Sequence, residues 1–197
     1  MIESSRPATV LIVPGLRGDV PDHWQAHLAR RLRGARTVPA MGRDNLGCAE
    51  RIDALERAAT AIEGPIVLVA HSAGVLTVVH WAQRTWRAVR GALLAVPPDF
   101  ETELPEGYPS IDALRKAGWF PLPRTPLLFP SIVAASRNDP LASFEYVREL
   151  ARCWGSRLVD LGHVHHLNPA AGFGEWPGAE PLIAELDAPA GASARVG

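Results

Sequence analysis

Three kinds of residue in this chain of 197 could act together in nucleophilic chemistry. They are a serine on a small-residue turn, a cluster of late histidines, and an aspartate in a loop between them. Ser72 stands in Ala70-His71-Ser72-Ala73-Gly74. A serine hydroxyl is a weak nucleophile near neutral pH and works only beside a general base. The turn follows an apolar run, Ile66-Val67-Leu68-Val69, and opens into a helical pattern over 73–86. Strand, tight turn and helix in that order are the form of a nucleophile elbow. The positions two before and two after the serine must be small, because strand and helix crowd there. Ala70 and Gly74 fill them, with Ala70 standing where the G-x-S-x-G pattern has its first glycine. The helix start would bring partial positive charge to Ser72 Oγ and offer the Ala73 N–H to an oxyanion. A second donor is expected from the loop after the first strand, Val13-Pro14-Gly15-Leu16-Arg17-Gly18, where glycines allow close backbone approach. Leu16 N–H is the candidate, and Arg17 or Asp19 of the same loop could touch substrate.

Seven histidines could supply the base. His23, His27 and His80 fall on predicted helices, where packing or surface roles are the simpler reading, and His71 reads as packing. On this architecture the order is Ser, acid, His. Only His163, His165 and His166 follow the last predicted strand, and spacing does not choose among them. The acid should follow the preceding strand, where Ser136-Arg137-Asn138-Asp139-Pro140 lies. Asp139 would accept the imidazole Nδ1–H, fix its tautomer and stabilise the imidazolium. Asp99 and Asp160 are its rivals.

These residues must be held by strands and helices in alternation. Short apolar runs at 9–13, 36–38, 66–69, 89–96, 131–135 and 157–161 read as strands. Helical spacing follows at 22–32 with Asp22 as N-cap, at 48–62, 73–86, near 144–153 and near 179–186. This alternation predicts an α/β fold of about six mostly parallel strands with helices on both faces, whose sites form at the carboxyl ends of strands. Segment 97–130 is proline-rich and breaks the rhythm, as a lid would. Its Trp119, Phe120 and Leu122 are candidates for an apolar acyl pocket. One domain over 1–187, with a mobile tail at 188–197, accounts for the chain.

Composition narrows the partners. Lys and Arg number 20 against 21 Asp and Glu, a formal net charge of −1, without the excess of basic residues expected of a nucleic-acid binder. Cys48 and Cys153 give neither a disulfide framework nor a C-x-x-C pair, which fits a reduced, cytoplasmic setting. The first residues lack a signal-peptide core, and the chain has no apolar run long enough to span a membrane. Acyl transfer to water needs no cofactor and no metal. His163-Val164-His165-His166 could be read as metal ligands, but the further ligands of a hydrolytic metal site are missing from the pattern. The expected partner is a small ester or amide, with oligomeric state left open. A binding module that has lost its chemistry is the alternative from another class.

Several motifs together resemble the small single-domain serine hydrolases related to the retinoblastoma-binding serine hydrolase, within the α/β-hydrolase superfamily. The pieces are Pro14-Gly15 with Asp22-His23-Trp24-Gln25, His71-Ser72-Ala73-Gly74, Pro97-Pro98-Asp99-Phe100-Glu101, and Pro121-Leu122-Pro123-Arg124. They continue from Phe129-Pro130-Ser131 through Asn138-Asp139-Pro140 to Trp154-Gly155 and Gly172-Phe173-Gly174-Glu175-Trp176-Pro177. The resemblance implies that His166-Leu167-Asn168 matches the family's His-Ile-Asn, with His165 in a glycine position. It therefore implies His166 as base, with His163 the next choice. The segment at 111–120 is longer than the resemblance leads one to expect. The function implied is a serine hydrolase, foremost a carboxylesterase using Ser72, His166 and Asp139. Amidase, aminopeptidase-like, thioesterase and acyltransferase variants would use the same three residues.

Overall fold

A computed structural model describes residues 6–18 and 20–188. The expected tail therefore lies, beyond Ala188, outside the described residues, as does Asp19. Six strands form one parallel sheet: β1 (Thr9–Val13), β2 (Arg36–Thr37), β3 (Ile66–His71), β4 (Val89–Ala95), β5 (Ser131–Ala135) and β6 (Arg157–Asp160). Their order is β2-β1-β3-β4-β5-β6. The central strand β3 is buried along its whole length, as parallel strands covered on both faces must be. That is why it reads as a continuous apolar run rather than an alternating one.

Helices cover both faces. Trp24 and Leu28 of α1 (Trp24–Arg31) pack with Ala179, Ile183 and Leu186 of α6 (Ala179–Asp187) on one side. On the other, α2 (Cys48–Thr60), α3 (Ala73–Ala82) and α5 (Phe144–Trp154) share a larger core with Leu114 of α4 (Ile111–Lys116). The side chains at i, i+3 and i+4 that face these cores produce the spacing seen in the sequence. Two expectations are corrected at helix ends. His23, not Asp22, caps α1, its ring accepting the Gln25 N–H. Helix α3 stops at Ala82, short of 86, and Trp86 lies fully exposed, so further turns would bury no apolar face.

Segment 97–130 contributes one short helix, α4, capped by Ser110, whose side chain accepts the Ala113 N–H. The rest is turns and irregular backbone that leave the carboxyl end of β4 and return at Pro130 to the amino end of β5. Strand order reverses between β1 and β3, each of which flanks the other while its helices leave to opposite faces. Such a switch point opens a crevice at the carboxyl ends of the strands. The loop after β1 and the turn after β3 both enter it.

Candidate active site

The turn after β3 is built by close contact. Ser72 has φ 56° and ψ −130°, a conformation that L residues seldom adopt. A side chain at Gly74 would come within 2.4 Å of Val13 O and 2.7 Å of Pro14 O. Only glycine lets the first turn of α3 pass so near the end of β1. Ala70 is fully buried, in register with Val13 on one side and Leu94 on the other. It fits where the usual motif has glycine. The Ser72 N–H donates to Ala95 O at 2.9 Å, which fixes the turn to β4.

Opposite Ser72 hangs the loop after β6. His166 Nε2 lies 2.8 Å from Ser72 Oγ, and its Nδ1 lies 2.8 Å from Asp139 Oδ2. Asp139 also receives the Leu141 N–H on Oδ1 at 2.9 Å. The His166 and Asp139 side chains are 5% and 1% exposed, so their contact is shielded from water. His163 and His165 are exposed, and Asp160 instead pairs with Arg137 at 2.8 Å. Asp99 is turned to its own loop, where it receives the Glu101 N–H. Among the described residues, no group of three His, Cys, Asp or Glu side chains is placed to hold a metal ion.

What holds this loop was not legible as a motif. Ser136 and Asn138 precede the aspartate, and their side chains bond across to the histidine loop. Ser136 Oγ receives the Val164 N–H at 3.3 Å, and Asn138 Oδ1 receives the His165 N–H at 2.8 Å. His71, the residue before the serine, donates from Nε2 to the His166 backbone carbonyl at 2.9 Å. This contact links the elbow directly to the histidine loop. It also gives a role to a residue that read as packing. His165 and Leu167 have φ of 51° and 46°, so His166 is held between two left-handed residues. Such backbone persists only where surrounding bonds fix it.

Three imidazoles meet here. The His71 ring is centred 4.4 Å from His23 and 5.0 Å from His166. Burial pushes the His23 pKa down to about 4, with His166 and His27 adding to the effect. Burial, then His166 and His23, holds His71 well below the usual histidine range. Both neighbours are therefore neutral near pH 7. Two of the sequence pieces meet beside them, where Trp24 packs edge-on against Trp176 at 4.9 Å and 83°.

Ser72 and His166 open onto a cavity of about 500 Å³. Leu16, Val20, Leu46, Phe100, Leu104 and Leu141 give it an apolar wall, and Arg17, Arg43 and Tyr108 add polar groups. Arg17 was expected near substrate and does line this cavity. Trp119, Phe120 and Leu122 do not, which corrects the sequence expectation. Trp119 is fully buried, donates from Nε1 to Leu46 O at 2.8 Å, and packs edge-on against Phe100 at 5.3 Å. Phe120 and Leu122 pack on the same core. Those aromatic and aliphatic side chains signal burial of the segment, and burial alone does not say which face looks on a ligand. A Cβ on Gly15, the residue before Leu16, would stand 3.2 Å from Ser72 Cβ, and Ala73 opens α3 directly after the serine. The first N–H groups of a helix have no acceptor within it.

A profile described as serine hydrolase matches residues 10–185. A hydrolase described as YdeN-like from Pectobacterium atrosepticum is 29% identical with a TM-score of 0.79, over 93% of this chain and 92% of that one. The ydeN gene product of B. subtilis is 19% identical with a TM-score of 0.72, over 91% of this chain and 98% of its own. An esterase domain from Rhodothermus marinus is 17% identical with a TM-score of 0.65, over 92% and 87%. No curated protein matches the chain. No helix among the described residues is long and apolar enough to cross a membrane. The fold is that of the α/β hydrolases, and the family profile covers all but the ends of the sequence: the chain belongs to the serine hydrolase family.

Proposed function

We propose that the chain hydrolyses small carboxylic esters through an acyl-enzyme formed on Ser72. The observation that carries this reading is His166, which bridges Ser72 Oγ and Asp139 at 2.8 Å on each side, at the wall of a cavity. His166 Nε2 takes the hydroxyl proton as Oγ attacks the ester carbonyl. Negative charge moves to the carbonyl oxygen, where the Leu16 and Ala73 N–H groups receive it. The tetrahedral intermediate collapses, the imidazolium returns its proton to the leaving alkoxide, and an alcohol departs. Water then enters, loses its proton to His166, and releases the acid from Ser72. Asp139 holds Nδ1–H throughout, so that Nε2 is the nitrogen that gains and loses the proton. His71 sits 5.0 Å away, ring centre to ring centre, but stays neutral, with its Nε2–H committed to the His166 carbonyl. It does not compete for that proton.

The esterases among the similar structures support ester chemistry for this family member. The Trp24–Trp176 contact joins two of the pieces that carry the resemblance to hydrolases related to the retinoblastoma-binding serine hydrolase. It supports placing the chain with that group. Cys48, buried and unpaired, and Cys153, also unpaired, fit a reducing compartment such as the cytoplasm. Hydrolysis of p-nitrophenyl butyrate tests the reading. Turnover should be lost in both Ser72→Ala and His166→Ala while folding is retained. Undiminished turnover in Ser72→Ala would refute it.

A further inference from the structure

The cavity wall carries an uneven charge. Arg17 and Arg43 line it, and among the described residues no Asp or Glu does. The chain as a whole is nearly balanced, with 20 basic and 21 acidic residues, so this local excess is not a reflection of composition. Neither arginine forms an ion pair with a carboxylate among the described residues. Arg17 instead rests its guanidinium on the Tyr108 ring, 4.8 Å from the centroid, which steadies it at the wall without neutralising it.

Both arginines stand on loops, and the two loops are fastened to the same post. Arg51, 6% exposed on α2, donates to Gly15 O and Leu16 O at 3.4 Å each. It also donates to Gly42 O at 3.2 Å and Asn45 O at 2.8 Å. The first pair of carbonyls immediately precedes Arg17, and the second pair brackets Arg43. A buried guanidinium without a carboxylate partner is costly unless carbonyls accept from it, and here four accept from Nη1 and Nη2, leaving only Nε without an acceptor among the described residues. Its effect is to set two cationic loops side by side at the mouth of one apolar cavity. His23, also in that wall, accepts the Gln25 N–H on Nδ1, so the neutral ring carries its proton on Nε2. The wall is thus rich in donors and positive charge.

We infer that the substrate is an ester bearing an anionic group, a carboxylate in the simplest case. Its apolar body would fill the cavity, and Arg17 and Arg43 would receive the charge. The inference rests on the hydrolase reading proposed above, because it assigns the substrate class of that same site. Arginine forks match carboxylate geometry, and both side chains are exposed at the rim of the cavity, where they can meet an incoming anion.

Two matched ester trios test this. One varies the end of the acyl chain at constant length: carboxylate, methyl or ammonium. The other varies the para substituent of a phenyl butyrate in the same way. The carboxylate ester should show a kcat/KM about tenfold above its neutral match in at least one trio, with the ammonium ester lowest. The ratio should shrink as salt is raised, and should fall toward one in the Arg17→Gln/Arg43→Gln double variant. A ratio at or below one in both trios, or a ratio that survives the double substitution, would overturn the inference. A neutral fluorophosphonate keeps the two claims apart. Ser72 labelling with flat trios rejects only the anionic substrate, whereas no labelling and no turnover rejects the hydrolase reading and this inference with it.

Discussion

The two walls of the cavity are built in different ways. One wall consists of the ends of β3, β5 and β6, where Ser72, Asp139 and His166 sit on short turns tied to each other by side-chain bonds. The other consists of loops at 14–18 and 39–47 and the segment 97–130, fastened through Arg51, Trp119 and the Arg17–Tyr108 stack. The first wall has geometry that any ester hydrolysis of this kind requires, and the second has charge and shape that suit one substrate class. Damage to the first should therefore appear in kcat, and damage to the second in KM and substrate preference. Each substitution below either breaks that division or sharpens it.

The largest effects belong to the first wall. Asp139→Asn should lower kcat about 10⁴-fold, because the amide favours the wrong imidazole tautomer. Steady-state kinetics should show KM nearly unchanged. A fall of tenfold or less would remove Asp139 from its proposed role. Gly74→Ala comes next. Its Cβ would meet backbone oxygens at 2.4 and 2.7 Å, which cannot move without shifting β1. Stability should drop by about 3 kcal/mol or more, read by denaturant titration, and activity should go with it.

His71→Asn removes the tie to the His166 carbonyl. A base displaced by a fraction of an ångström should cost about 10- to 100-fold in kcat, with little change in KM. His71→Gln, longer by one carbon and able to reach the carbonyl, should recover part of the loss. Equal losses in both, accompanied by a matching loss of stability, would mean that His71 only packs. On the second wall, Arg51→Met should raise KM for the preferred ester severalfold, because both loops lose their post. It should also destabilise the fold by about 2 kcal/mol through unsatisfied carbonyls. A pure kcat effect there would contradict the division.

The last effect leaves turnover near pH 7 untouched and appears only as acid is added. His23 has its pKa lowered from 6.5 to about 4 in the folded chain. Between those values the unfolded chain binds more protons, so the stability from keeping His23 neutral is complete above about pH 6.5 and is lost as pH falls through that window toward 4. The loss should be on the order of 3 kcal/mol by pH 4, and His71 adds in the same direction. Unfolding midpoints at pH 7.5 and 4.5 should draw closer together in His23→Gln. An unchanged gap would show that His23 is not a source of it.

The same division explains what the sequence revealed. Strand β3 and the elbow were legible because burial on both faces forces an apolar run, and crowding forces small residues around Ser72. Asp139 was legible because the order of strands fixes where an acid can stand. The choice of His166 over His163 and His165 was not decided by local spacing. It depends on His71, Ser136 and Asn138, partners far away in the chain, and only the resemblance pointed to it. The second wall was least legible. Trp119 and Leu122 looked like pocket residues because hydrophobicity signals burial but not the face. Arg43 and Arg51 belong to no motif, because their positions follow from carbonyls contributed by two separate loops.

The central claim is that Ser72 is a nucleophile activated by His166. It is tested most directly by intact-protein mass spectrometry after exposure to a fluorophosphonate, with the adduct mapped by peptide sequencing. Wild-type protein should gain a single adduct on Ser72. Ser72→Ala should gain none, His166→Ala should label far more slowly, and His163→Ala should label at the wild-type rate. An unlabelled wild-type protein, or labelling that fails in His163→Ala and persists in His166→Ala, would contradict the account.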